Sequence, residues 1–317
     1  MSWVDGWRVV ALRAAGIALT ATLLASCGGG EQVRKFVPTR VIAFGDESSL
    51  LEPDGSKYSI NSQPSATSPT LDCEQLPIWV QSLATAHGIP FPQCAAAGVA
   101  APSLMRAVNN ANVDAVSGQV DTFLAQGNTF SGTDLVTVLA GTHDVVDIQT
   151  RVENGTITMD QGRAEAIQAG TRLANVVNRI ALAGGKVLIS TIPNVALTPY
   201  GRVSTARSQI LTTLSDEFNS NLRIGLINDG RMIGLMLTHE SINAIANSGT
   251  YNSTSVACDV AKTLGDLRKC TTQTMLVTNG VTAVPGTWLW ADDLHMGPVG
   301  QSTLGSLAIS RVTTNPF

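Results

Sequence analysis

Four short runs of apolar and β-branched residues punctuate the chain: RVIAF at 40–44, LVTVLA at 135–140, KVLIST at 186–191 and MIGLML at 232–237. Longer amphipathic stretches lie between them, among them PIWVQSLATAHG at 77–88, DQGRAEAIQAGTRLANVVNRIALAGG at 160–185 and TARSQILTTLSDEFNSNLRIGLI at 205–227. Gly184 and Gly185 close the second of these where a helix C-terminus belongs, since glycine turns the backbone out of a helix without a Cβ clash. Short strands separated by helices of this length predict βαβ units, hence an α/β fold with a mainly parallel sheet covered on both faces. Open parallel sheets bind ligands beyond the C-terminal ends of their strands. That rule directs attention to Asp46–Ser49 and to Gly141–Asp144, just past two of the runs.

Composition sets the bounds. The chain has 317 residues, 44% of them hydrophobic, enough for one large domain with a sizeable core. A net charge of -4 and a charged fraction of 14% leave no basic patch for a phosphate backbone, so nucleic acid is not an expected partner. Oligomeric state is not readable from the sequence.

The N-terminus stands apart. Arg8 and Arg13 precede an apolar stretch, Ala14–Ala25, of signal-peptide length and short for a membrane-spanning helix. It ends in LASC, Leu24–Cys27, followed by three glycines, which resembles the lipobox of bacterial lipoproteins. The resemblance implies cleavage before Cys27, lipidation of that cysteine and a membrane anchor; Gly28 in place of an aspartate points to the outer membrane of a Gram-negative cell. An ordinary secretory signal is the alternative, and it too exports the protein. Residues 1–27 are therefore read as signal peptide, 28–38 as a tether and 39–317 as the folded domain.

Export changes how the other cysteines are read. Cys73, Cys94, Cys258 and Cys270 are an even set in an oxidising compartment, and proximity favours Cys73 with Cys94 and Cys258 with Cys270 as loop staples. No CxxC or HxxxH spacing supports zinc, and no metal or cofactor is expected.

Four motifs carry the chemistry: FGDESS after the first run, QCAAAGVA at 93–100, AGTHDVVD at 140–147 and WADDLHMGPVGQ at 290–301. In order and spacing they resemble the four blocks of the GDSL, or SGNH, hydrolases, and the resemblance covers nearly the whole exported chain. It implies a three-layer α/β/α sandwich and ester hydrolysis by esterases, lipases or deacetylases. Asp292 and His295 match the family's DxxH pair, with His295 as general base and Asp292, or else the neighbouring Asp293, holding its tautomer. Gly98 matches the glycine whose N–H serves an oxyanion hole.

Two positions depart from the family. Its serine directly follows Gly-Asp, where this chain has Glu47; Ser48 takes the nucleophile's place if the turn carries one extra residue, Ser49 if it carries two, and otherwise no serine does. Where the family has asparagine stands His143, which donates from only one ring nitrogen when neutral. It substitutes as a donor, marks decay of the site, or is structural. Asp46 reads as a turn cap, and His87 and His239 as helix-end residues. The expected function is a cell-envelope ester hydrolase acting on acyl esters or acetylated saccharides, with the polar loop 52–69 able to shape the pocket. The alternative is a non-catalytic envelope lipoprotein that retains the fold.

Overall fold

The computed structural model describes residues 36–314; the segment read as signal peptide and nearly all of the tether lie outside the described residues. Strands β1 (Arg40–Gly45), β2 (Leu104–Met105), β3 (Asp134–Leu139), β4 (Lys186–Ser190) and β5 (Ile233–Met236) form one parallel sheet in the order β2-β1-β3-β4-β5. Eight helices accompany them among the described residues: α1 (Trp79–Ala86), α2 (Val113–Ala125), α3 (Thr142–Glu153), α4 (Met159–Leu182), α5 (Thr205–Gly225), α6 (Thr238–Asn247), the single turn α7 (Val260–Thr263) and α8 (Pro298–Thr314). Helices α2 to α5 pack together on one face, while α1, α6 and α8 pack together on the other. The architecture is a three-layer α/β/α sandwich. Among the described residues no helix is long and apolar enough to cross a membrane.

The sheet explains why its strands read as unbroken apolar runs. Every residue of β3 is buried, as is all of β1 after Arg40, because helices cover both faces. At the exposed edge of that pair, Arg40 forks onto Asp134 with bonds of 2.7 and 2.9 Å, closing the start of β1 against β3. The long helix α4 begins with a reciprocal cap: Thr158 Oγ1 accepts from Gln161 N, and Gln161 Oε1 accepts from Thr158 N.

A smaller apolar cluster, including Leu50, Ile60, Leu267, Met275 and Ala291, lies under the long loops. Strand β6 (Asn252–Val256), the hairpin β7 (Val277–Thr278) and β8 (Val281–Thr282), and β9 (Trp288–Trp290) belong to this region, with β6 parallel to β9. The structure joins Cys73 to Cys94 and Cys258 to Cys270, each bridge stapling the segment it encloses. The loop at 52–69 does not line the cleft described below, contrary to the sequence reading. Buried Lys57 anchors it by donating to the carbonyls of Cys73, Gln75 and Leu76 at 3.1, 2.7 and 3.1 Å. Burial lowers that ammonium's pKa to about 8. Ser59 Oγ then donates to the carbonyl of Met296 at 3.0 Å, so the loop braces the segment that carries His295.

Two glycines fix the ends of β1 and β3. Gly45 has φ +138°, and a Cβ there would stand 2.1 Å from the Leu139 carbonyl oxygen; Gly141 has φ +121°, with the Phe218 ring 2.2 Å from a Cβ position. Only glycine fits at either place, Gly45 against the end of β3 and Gly141 against the Phe218 ring of α5. Gly45→Ala is therefore expected to cost at least about 3 kcal/mol, strain and clash combined. Gly127→Ala, with φ +79° and open space around it, should cost only about 1 kcal/mol. Denaturant midpoints of the two variants beside the parent check the difference.

Candidate active site

Three chain segments meet at the C-terminal edge of the sheet. The first follows β1, where Asp46 caps the short turn Glu47–Ser49 by accepting from Ser48 N at 3.0 Å. The second follows β3, where Gly141 opens α3 and places His143 in its first turn. The third is the loop after β9. Asp292 Oδ1 accepts from Leu294 N and His295 N at 2.9 and 2.6 Å, and Ala291 N donates to the His295 carbonyl at 2.8 Å. These bonds wind the loop tightly enough for a carboxylate and an imidazole three residues apart to face each other.

At the junction of the three stands Glu47. Its Oε1 lies 2.7 Å from His295 Nε2 and 2.6 Å from His143 Nε2, and its Oε2 accepts from the backbone N–H of Asn110 at 2.8 Å. Behind His295, Nδ1 contacts Asp292 Oδ2 at 2.8 Å and Oδ1 at 2.9 Å. The result is an unbroken line, Asp292 to His295 to Glu47, with His143 and Asn110 closing on the same carboxylate. The Glu47 side chain is 3% exposed.

Electrostatics follow from these contacts. Burial works against a charged Glu47, but the bonds from His143 and His295 outweigh it and hold the carboxyl well below the ordinary glutamate range. Burial likewise opposes charge on His295, yet its bonds to Asp292 and Glu47 push its pKa up to about 10. For His143, burial is again overcome by the bond to Glu47, and the pKa is raised. Asp46 goes the other way: burial, reinforced by the neighbouring charge of Glu47, pushes it up to about 7. Near neutrality the centre is thus a glutamate anion bonded to the His295 imidazolium, with His143 shifted toward its charged form and Asp292 as a second anion behind.

The sequence-derived candidates distribute unevenly around this centre. Asp292 and His295 are brought together. Asp293 does not bond the His295 ring; its backbone carbonyl accepts from Tyr200 N at 2.8 Å instead. His295 Nε2 is directed at Glu47 where the sequence reading set Ser48. Ser48 lines the adjoining cleft, and no described residue hydrogen-bonds its hydroxyl. Ser49 is turned into the core, its hydroxyl accepting from the Trp79 indole at 3.2 Å. Gly98 sits in an exposed turn ahead of β2, outside the cleft lining. The backbone donor that reaches Glu47 comes instead from after β2, at Asn110, held in the left-handed region at φ 58°. Asparagine tolerates that conformation better than most residues, and the Asn109–Asn110 pair is a turn signal that could have found it. His87 caps the end of α1 and His239 lies in the first turn of α6, both apart from the centre.

The cleft beside Glu47 and Ser48 is walled largely by apolar side chains, including Leu139, Pro193, Val195, Trp290 and Leu294. Among the described residues no group of three or more His, Cys, Asp or Glu is arranged to hold a metal ion.

Neither a family model nor a curated protein sequence matches the chain. Solved structures do. A member of the lipolytic protein G-D-S-L family from Veillonella parvula aligns over 86% of this chain and 96% of its own, at 8% identity and a TM-score of 0.43. Phospholipase A1 from Streptomyces albidoflavus aligns over 86% and 98%, at 14% identity and 0.45. An acetylxylan esterase from Geobacillus stearothermophilus aligns over 88% and 96%, at 11% identity and 0.42. The chain is similar in structure to these three proteins at low sequence identity.

Proposed function

We propose that this protein is an ester hydrolase of the bacterial cell envelope, acting on acyl esters or acetylated saccharides and anchored through a lipidated Cys27. The observation that carries the reading is the bonded line from Asp292 through His295 to Glu47 beside a cleft lined by Ser48. A carboxylate, an imidazole and a reactive position in series is the arrangement by which hydrolases move a proton during acyl transfer. The envelope location rests on the sequence alone, on the arginines, apolar core and LASC of residues 8–27.

In this reading Ser48 Oγ attacks the acyl carbon and its proton passes to Glu47. Neutralised, Glu47 loosens its hold on His143, whose Nε2–H turns to the developing oxyanion. The His295 imidazolium, stabilised by Asp292, protonates the departing alcohol and is reprotonated by Glu47. Water then releases the acyl group by the same transfers. Structurally similar proteins named as phospholipase A1 and acetylxylan esterase fit the same class of substrate.

A second reading, a non-catalytic protein that keeps the fold, draws on one observation. Asn110 N–H, His143 and His295 all donate to Glu47, so the donors that should meet a substrate oxyanion are already occupied.

Hydrolysis of a short-chain nitrophenyl ester and labelling by a fluorophosphonate decide between them. Ser48→Ala and His295→Ala are each expected to lower turnover by at least about 10³-fold, and His143→Ala by about 10²- to 10³-fold. A folded parent that neither turns over nor takes the label supports the non-catalytic reading.

The pH profile gives an independent check. Turnover requires Glu47 ionised and His295 protonated. Its rate should therefore hold through neutrality and fall as pH rises through about 10, where His295 loses its proton. An acid limb centred near the ordinary histidine value of about 6.5 contradicts these protonation states.

A further inference from the structure

The two oxygens of Glu47 are held differently, and the difference has chemical content. Oε2 accepts a single bond from a backbone N–H, that of Asn110 at 2.8 Å. Oε1 faces two imidazole nitrogens, His143 Nε2 at 2.6 Å and His295 Nε2 at 2.7 Å. This is the layout needed by a carboxylate that forms an ester through Oε1 and has that ester hydrolysed. The carbonyl oxygen of such an ester would be Oε2, with an oxyanion donor already on it; the groups beside Oε1 would be one acid for a leaving atom and one base for water.

We propose that Glu47 is a nucleophile toward saturated carbon, and that the site opens small apolar epoxides to diols. Acyl carbon is the poorer target for this oxygen, because attack there gives a mixed anhydride. A strained carbon–oxygen bond suits the site because its leaving oxygen stays on the substrate and needs only a proton, which His143 carries next to the attacking atom. Leu139, Pro193, Val195, Trp290 and Leu294 line most of the cleft beside Glu47, a lining that favours an alkyl substituent. The proposal does not depend on acyl-ester turnover at Ser48.

In the first step an Oε1 lone pair bonds to the less substituted epoxide carbon while the ring C–O bond breaks. The electron pair goes to the ring oxygen, which takes the proton from His143 Nε2. The product is a hydroxyalkyl ester of Glu47, and the carboxylate charge is gone. His295 then has only Asp292 to hold its proton, its pKa falls, and the fraction that passes its proton to solvent is the form that acts next. In the second step neutral His295 takes a proton from water as the water oxygen bonds to Glu47 Cδ. The tetrahedral oxyanion sits on Oε2 against Asn110 N–H. Collapse breaks the Cδ–Oε1 bond, the departing alkoxide takes the proton from His295, and the new Glu47 carboxyl returns a proton to His143. His295 is reprotonated from solvent. The sum is epoxide plus water giving diol, with one oxygen of the first diol derived from Glu47.

The test uses the full chain and 1,2-epoxyhexane. In a single turnover with protein in excess in H2¹⁸O, the label is expected in the peptide carrying Glu47 and not in the diol. His295→Ala, which removes the base for the second step, should accumulate a covalent adduct of one epoxide per chain, mapped to Glu47. Glu47→Gln should form none while keeping the parent's circular dichroism. Label in the first diol, an adduct mapped elsewhere, or no adduct in either the parent or His295→Ala overturns the proposal. Ester hydrolysis without an adduct would remove this inference and leave the acyl reading standing; an adduct without ester hydrolysis would do the reverse.

Discussion

One buried carboxylate organises the functional end of this molecule. Glu47 draws a histidine from the start of α3, a histidine from the loop after β9 and a backbone N–H from the turn after β2 onto a single group. An isolated carboxylate buried to this depth would be driven to protonate. Here the donors reverse that tendency, and the anion in turn raises the pKa of both histidines. Removing any one partner leaves the others with an uncompensated buried charge, the costly way to break such a network. The three segments are consequently tied together in charge as well as in space.

The scaffold serves that constraint. Gly45 lets the end of β1 turn against the Leu139 carbonyl of β3, and Gly141 lets the start of α3 pack on Phe218; Glu47 and His143 follow these two turns. Asp292 spends one oxygen on the backbone of its own loop as well as on the imidazole, so the same side chain shapes the loop and orients His295. The long loop after β1 contributes from behind. Pinned by Lys57 and by the bridge from Cys73 to Cys94, it props the Met296 carbonyl next to His295.

Much of this was legible in the sequence. The strands β1, β3, β4 and β5 coincide with the four apolar runs because burial on both faces leaves no polar alternation to blur them. Helices α4 and α5 announced themselves by periodicity and by end signals such as Gly184. Strand β2 was invisible, being two residues long, and that omission moved the backbone donor. The motif spacing points to a glycine ahead of the strand, Gly98, whereas Asn110, after it, makes the contact with Glu47. Glu47 stands out in the sequence as an intruder at a serine position, but nothing local marks it as the hub, because its partners lie 63, 96 and 248 residues away. Local spacing carries no record of such distant pairs. Ser49 illustrates the converse: its chemistry suggested a nucleophile, and the Trp79 indole that claims its hydroxyl became visible only once α1 was packed against the turn.

A serine in the place of Glu47 would take away one of the two anions that raise His295 and shift it toward acting as a base. A glutamate makes it an acid and turns the oxygen beside it into a fixed anion. Identical scaffolding thus supports different proton inventories, and the inventory, rather than the fold, decides what the cleft can do. The most direct test is a titration of the imidazole ¹⁵N resonances in the parent and in Glu47→Gln. The account predicts that His295 stays doubly protonated through neutrality and titrates toward about 10 in the parent, then at a clearly lower pH once Glu47 has lost its charge. A His295 that titrates at the same pH in both proteins would contradict it.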